Sequence, residues 1–196
     1  MVDTRESLMS AASALLAEEG PEALTVRRIA AQAGVSTMGV YSRFGGKDGV
    51  VDALFREGFD GLKQAISTTP ESSDPLDDLR TCCRAYRSFA LAHGTHYRIM
   101  FEGAVPGFTA SDASLEVAAA TYESVAERVR RCVEAGQLSG GTHYEIAASL
   151  WAACHGLVSL ELLAKKPAIL ADDAPYERTM AAILRGFAPD PAKSTG

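Results

Sequence analysis

Between Thr25 and Lys47 the chain reads TVRRIAAQAGVSTMGVYSRFGGK, and few folds accommodate that order of residues. Two short runs with apolar residues at helical spacing flank Ala33-Gly34-Val35-Ser36. Gly34 suits the left-handed backbone that ends one helix, and Ser36 can cap the next by accepting a backbone N–H bond. Two helices joined by so tight a turn predict a helix-turn-helix, whose second helix enters the DNA major groove. The segment carries four cationic side chains and no carboxylate.

That local charge outweighs the overall balance. The 196 residues carry a formal net charge of −6, which argues against nucleic acid only if charge is spread evenly. It is not: residues 1–50 hold five Lys/Arg and six Asp/Glu, and all six acids lie outside Thr25–Lys47. DNA binding needs phosphate neutralisation at the contact face, not a basic whole molecule. A hydrophobic fraction of 47% is ample for a packed core. Cys82, Cys83, Cys132 and Cys154 lack CxxC or zinc-like spacing and are expected as small core hydrophobes in a reducing compartment. No signal peptide is expected, because Asp3, Arg5 and Glu6 interrupt the start. The apolar stretch Leu150–Leu163 contains His155 and Glu161 and is too short to span a bilayer. A soluble, cytoplasmic protein without a membrane partner is expected.

Strand signals are nearly absent, and helical spacing runs through the chain. The spacing predicts a first helix over Thr4–Glu19, with Leu8, Ala11, Ala12, Leu15 and Leu16 on one face, ended by Gly20-Pro21. Thr25 caps the second helix and Ser36 the third, which ends near Phe44 before Gly45-Gly46. A long helix follows from Lys47 to about Ser67, then a polar linker over Thr68–Ser73. Asp74-Pro75 marks the start of a helix to about His93, with Asp77 and Asp78 in its first turn. Further helices are expected over His96–Glu102, from Ser111 or Ser114 to about Ala135, from the capping box Thr142–Glu145 to about Lys165, and over Pro175–Phe187, before a frayed tail at Pro189–Gly196. The expected fold is all-α: a three-helix head over residues 1–46 and a helical bundle over 47–196.

Several residues of the head together are specific. Ala11-Ala12 and Leu15 precede Gly20, followed by Leu24-Thr25-Val26-Arg27-Arg28-Ile29-Ala30, Ala33-Gly34-Val35-Ser36, and Gly39-Val40-Tyr41 with Phe44 and Lys47. In these the head resembles the TetR family of one-component transcriptional regulators. Farther on, Leu150-Trp151-Ala152-Ala153 with His155-Gly156-Leu157-Val158, and the loop Glu134-Ala135-Gly136-Gln137-Leu138, resemble a C-terminal class of that family named for a Trp-His-Gly pattern. The resemblance implies a DNA-binding head, a ligand-binding and dimerising body, and no catalysis. Arg43, Ser42 and Gly46 stand where the family often has a His, an aromatic residue and a Ser or Asn cap.

By that resemblance and by geometry, Thr37, Met38 and Gly39 stand at the exposed start of the reading helix, where they can touch base edges or a thymine methyl. Tyr41, Thr25, Ser36 and Lys47 are expected on phosphates at helix starts. Ser42 completes the set. Arg28 sits at a helix N-terminus, mildly against the dipole, which an incoming phosphate would reverse. Arg28 and Arg43 are expected phosphate or base contacts; Val40 and Phe44 read as core.

One three-helix head grips one half-site weakly, so a homodimer on a near-palindromic operator is expected, with half-sites about 34 Å apart. Ala148, Ala152, Gly156, Ser159 and Leu163 on one helix, and Met180, Ile183, Leu184 and Phe187 on the last, form the expected interface, where small residues permit close packing. Phe59, Tyr86, Phe89, His93, Tyr97, Met100, Phe101, Tyr122, Trp151 and His155 suggest a pocket for a small apolar or aromatic effector. The expected mechanism has the effector reorder the body, move the helix Lys47–Ser67 and shift the heads off the half-site spacing, with Gly45-Gly46 and Gly58 or Gly61 absorbing the rotation. No metal is expected, since His93–His96 lacks a third ligand nearby, and no cofactor. A Gly-x-Ser-x-Gly motif, a phosphate loop and HExxH are all missing, so an enzyme is not expected. The alternatives are a ligand-binding or protein-interaction module with a degenerate head, or an activator.

Overall fold

The computed structural model describes residues 3–69, 71–170 and 172–190. From position 191 on, the expected tail lies outside the described residues, as does position 70 of the linker. Among the described residues there are nine α-helices and no strand: α1 Thr4–Glu19, α2 Val26–Gln32, α3 Thr37–Phe44, α4 Lys47–Ser67, α5 Pro75–Ala92, α6 Gly94–Phe101, α7 Asp112–Glu134, α8 His143–Glu161 and α9 Ala174–Gly186. Two 3-10 turns, Pro21–Ala23 and Ala168–Leu170, lie in stretches the apolar periodicity does not resolve.

Helix ends follow their capping residues. Asp74 accepts from the N–H groups of Leu76 and Asp77 at 3.1 and 3.3 Å and so starts α5. Thr142 and Glu145 form both halves of the capping box that opens α8. Two boundaries differ from the sequence reading by more than one residue. α6 begins at Gly94, two residues early, and α8 ends at Glu161, four residues before Lys165. The Glu161 carboxylate is buried and takes two bonds from Arg87, at 2.9 and 3.2 Å, while Arg87 also pairs with Asp173 at 2.9 Å. This tertiary anchor fixes the end of α8 where apolar spacing alone would let it run on.

The chain gathers into two compact units: the described residues up to Gly61 with His93–Ala119, and Leu62–Ala92 with the described residues from Ala120 on. In the first, α1 lies against α2 and α6, and α2 against α3, around fully buried Leu8, Leu15, Ile29, Val40 and Leu54. Phe55, Phe59, Tyr97 and Phe101 form a tilted and edge-on ring cluster at 4.9–5.2 Å between centroids. In the second, α8 packs on α5 and α9, and Leu79, Val129, Cys132, Ile146, Leu150 and Leu184 share one core. All four cysteines are free and buried. Burial pushes the thiols of Cys82 and Cys132 up, to about 12 and about 11, so they sit there as neutral hydrophobes. No helix among the described residues is long and apolar enough to cross a membrane.

Candidate nucleic-acid interface

The interface is built from backbone conformation outward. After α2, Gly34 turns left-handed at φ 69°, and the Val35 N–H reaches back to the Ala30 carbonyl at 2.9 Å. This closes the helix and sends the chain into the next one within four residues. Thr25 accepts from the Arg28 N–H and Ser36 from the Gly39 N–H, each at 3.3 Å, so both helices start on the expected caps. α3 ends at Gly45, left-handed at φ 73°, whose N–H bonds the Tyr41 carbonyl. Gly46 then accepts from the Val50 N–H through its carbonyl as α4 begins.

Burial sorts the α3 side chains into two faces. Val40 is fully buried and Phe44 half-buried, as their apolar character requires. Met38 is 71% exposed and Tyr41 54%, a costly outward placement for two large apolar groups unless something covers them. Thr25, Arg28, Ser36, Thr37, Ser42 and Arg43 are also exposed, and Gly39 and Lys47 are half-buried. The Gly39 Cβ position would meet only Val35 and Ser36 side-chain atoms at 3.6 Å or more, so its missing side chain leaves a shallow step on the outer surface. Ser42 spends its hydroxyl on the Gly39 carbonyl at 3.3 Å.

Two contacts of this face could not be found by spacing. The Arg28 guanidinium pairs with Glu19 on α1, so a carboxylate outside the cationic segment reaches into it. Arg5, at the start of α1, lies over the Phe44 ring at 4.6 Å and adds a cation beside the end of α3. Arg27, exposed in the first turn of α2, is a third omission, and its charge alone marked it. Gly49 matters for another reason. A Cβ there would overlap the Phe44 carbonyl oxygen, so the start of α4 can lie against the end of α3 only because position 49 has no side chain.

The residues expected to line an effector pocket divide between the two units. Phe59, Tyr97, Met100 and Phe101 belong to the first unit, where the first three are buried. His93, also of that unit, is exposed. Tyr86, Phe89, Tyr122, Trp151 and His155 belong to the second. Gly58, one of the expected hinge positions, gives α6 room: a Cβ there would lie 2.5 Å from the Met100 sulfur. Ala148, Ala152 and Gly156 on α8, and Leu163 just past its end, are exposed, and Ser159 is half-buried. Trp151, at 40% exposure, and Leu160, at 45%, share that outward position. On α9, Met180 and Leu184 turn into the core of their own unit, against the expectation of an intermolecular role, because α9 packs that face on α8. Ile183 and Phe187 remain half-buried.

An all-helical chain with this capped, outward-facing reading helix defines a helix-turn-helix DNA-binding protein. Residues 8–54 match the model of bacterial regulatory proteins of the tetR family, and residues 79–186 match that of the tetracyclin repressor-like C-terminal domain. The chain belongs to the TetR family and is a transcriptional regulator, not an enzyme. No curated protein matches it significantly. Among solved structures it is similar to a protein with unknown function from Rhodococcus sp. RHA1, at 26% identity over 96% of this chain and 97% of that one, with a TM-score of 0.77. A regulatory protein of the tetR family from Rhodococcus RHA1, 17% identical over 97% and 100%, also has a TM-score of 0.77. The regulator PfmR from Thermus thermophilus, 19% identical over 91% and 97%, has a TM-score of 0.72. The last two likenesses concern the fold alone.

Proposed function

We propose that this regulator is a repressor that binds a near-palindromic operator as a homodimer and leaves it when a small effector binds. Residues 1–46 form the DNA-binding domain and residues 47–196 the effector-binding and dimerising domain. One observation carries this reading: Met38, Tyr41 and the polar side chains around them face outward on a cationic, acid-free helix-turn-helix segment. Thr37, Met38 and Gly39 meet base edges, while Thr25, Ser36, Tyr41 and Lys47 meet phosphates. With so few strong base readers, specificity leans on DNA shape and on the spacing of the two heads. The outward apolar face of α8 supports the dimer. Selection from a random duplex pool, followed by an anisotropy salt titration of the winning fragment, tests the reading. A steep loss of affinity as salt rises is expected; no enrichment at low ionic strength defeats it.

A further inference from the structure

One buried cation has no adequate partner. Arg128, on α7, is 6% exposed. Its Nη2 donates to the carbonyls of Ile66 at 3.0 Å and Thr69 at 3.3 Å, at the C-terminal end of α4. Its Nη1 is buried with no hydrogen-bond partner. The carboxylates along this stretch pair with the next two arginines instead: Glu127 and Glu134 with Arg130, Asp78 and Glu71 with Arg131. Among the described residues no carboxylate pairs with Arg128. A helix C-terminus supplies roughly half an elementary negative charge, so a large share of this buried charge is left uncompensated. Its neighbours offer little more: Ile66 is fully buried, and Cys82, close enough to feel the Arg128 charge, is a neutral thiol.

From this geometry we infer that Arg128 is the anchor for the oxyanion group, carboxylate or phosphate, of the effector. The inference rests on the effector-release reading above and gives its ligand a charge. A guanidinium presents a planar fork, and an oxyanion at Nη1 supplies both the missing acceptor and the missing charge. It binds the same guanidinium whose Nη2 donates to the Ile66 and Thr69 carbonyls. The Ile66 carbonyl lies in the last turn of the helix that starts at Lys47 and the Thr69 carbonyl just past it, so occupation of the site bears on the end of α4.

The test uses the full chain and two probes, sodium acetate and inorganic phosphate, each titrated at constant ionic strength against sodium chloride while thermal unfolding is followed. In the wild type at least one probe raises the midpoint saturably, as a ligand of the native state must, and which one identifies the headgroup class. Arg128→Met unfolds without anion at the same or a higher temperature, because an apolar side chain replaces an under-compensated charge, and it shows no saturable rise. A wild type that responds to neither probe overturns the inference, as does a variant that responds like the wild type. Should Arg128→Met fail to fold, the exchange-protected guanidinium 15N–1H signals of the wild type decide: they shift with acetate or phosphate, and an unchanged spectrum overturns the site. If the wild type selects no operator, the DNA reading fails while the thermal titration still decides the anion site.

Discussion

Single residues decide how strongly the reading face can grip a phosphate chain. Glu19 holds the Arg28 guanidinium, so under the proposed reading DNA competes with a carboxylate for that cation. Both groups are exposed, and such a pair contributes at most about 1 kcal/mol. Glu19→Gln is therefore expected to tighten operator binding about threefold at low salt, with the unfolding midpoint little changed; anisotropy on the selected fragment measures it. Gly49 acts through space. Gly49→Ala puts a methyl group into the Phe44 carbonyl, and overpacking of this kind costs about 1–3 kcal/mol. Circular-dichroism melts should show a lowered midpoint, and operator affinity should fall with it, because relief of the clash moves the end of α3. Neither residue stands out in the sequence. Glu19 reads there as one more solvated acid at the end of α1, and only the fold brings it to Arg28.

At the scale of elements, capping residues and buried polar anchors set where helices start and stop. Asp78, in the first turn of α5, is 4% exposed and accepts from the Ser72 N–H at 2.9 Å, the Ser72 hydroxyl at 2.8 Å and Arg131 at 3.3 Å. The Ser72 backbone and hydroxyl bonds, with the Arg131 charge behind them, hold its carboxyl below the ordinary carboxylate value. A depressed folded value stabilises the native state above the unfolded-state pKa, and that stabilisation is lost as pH falls through the folded value. Acid unfolding should thus begin near the ordinary carboxylate range and steepen below it. Asp78→Asn should be less stable at neutral pH and show a flatter acid limb in denaturant midpoints measured from about pH 6 to about pH 3. Apolar spacing and capping residues together predict every α-helix, including α3, where Val40 alone is buried between the Ser36 and Gly45 caps. The early stop of α8 was not legible, since it depends on Glu161 meeting an arginine seventy-four positions away.

For the molecule as a whole, the proposed two-fold pairing sets how many phosphates can be neutralised at once. Trp151 and Leu160 on α8, with Leu163 just past its end, leave apolar area in water in a single chain. Trp151→Glu should convert the proposed dimer to single subunits in sedimentation equilibrium. Operator affinity should drop by more than about tenfold, and the slope of log K against log salt should fall by about half, because a lone head neutralises half the phosphates. What the sequence by itself determined is everything governed by near neighbours along the chain: the all-helical class, the caps Thr25, Ser36, Asp74 and Thr142, the turn at Gly34 and the cationic reading face. These follow from periodicity and from hydrogen bonds that span three or four residues. Tertiary structure alone decided that Glu19 covers Arg28, that the aromatic residues divide between two units, that Met180 and Leu184 turn inward, and that Arg128 is buried beneath the end of α4. Those outcomes depend on which faces meet, and a face carries no mark in the sequence of the partner that will cover it.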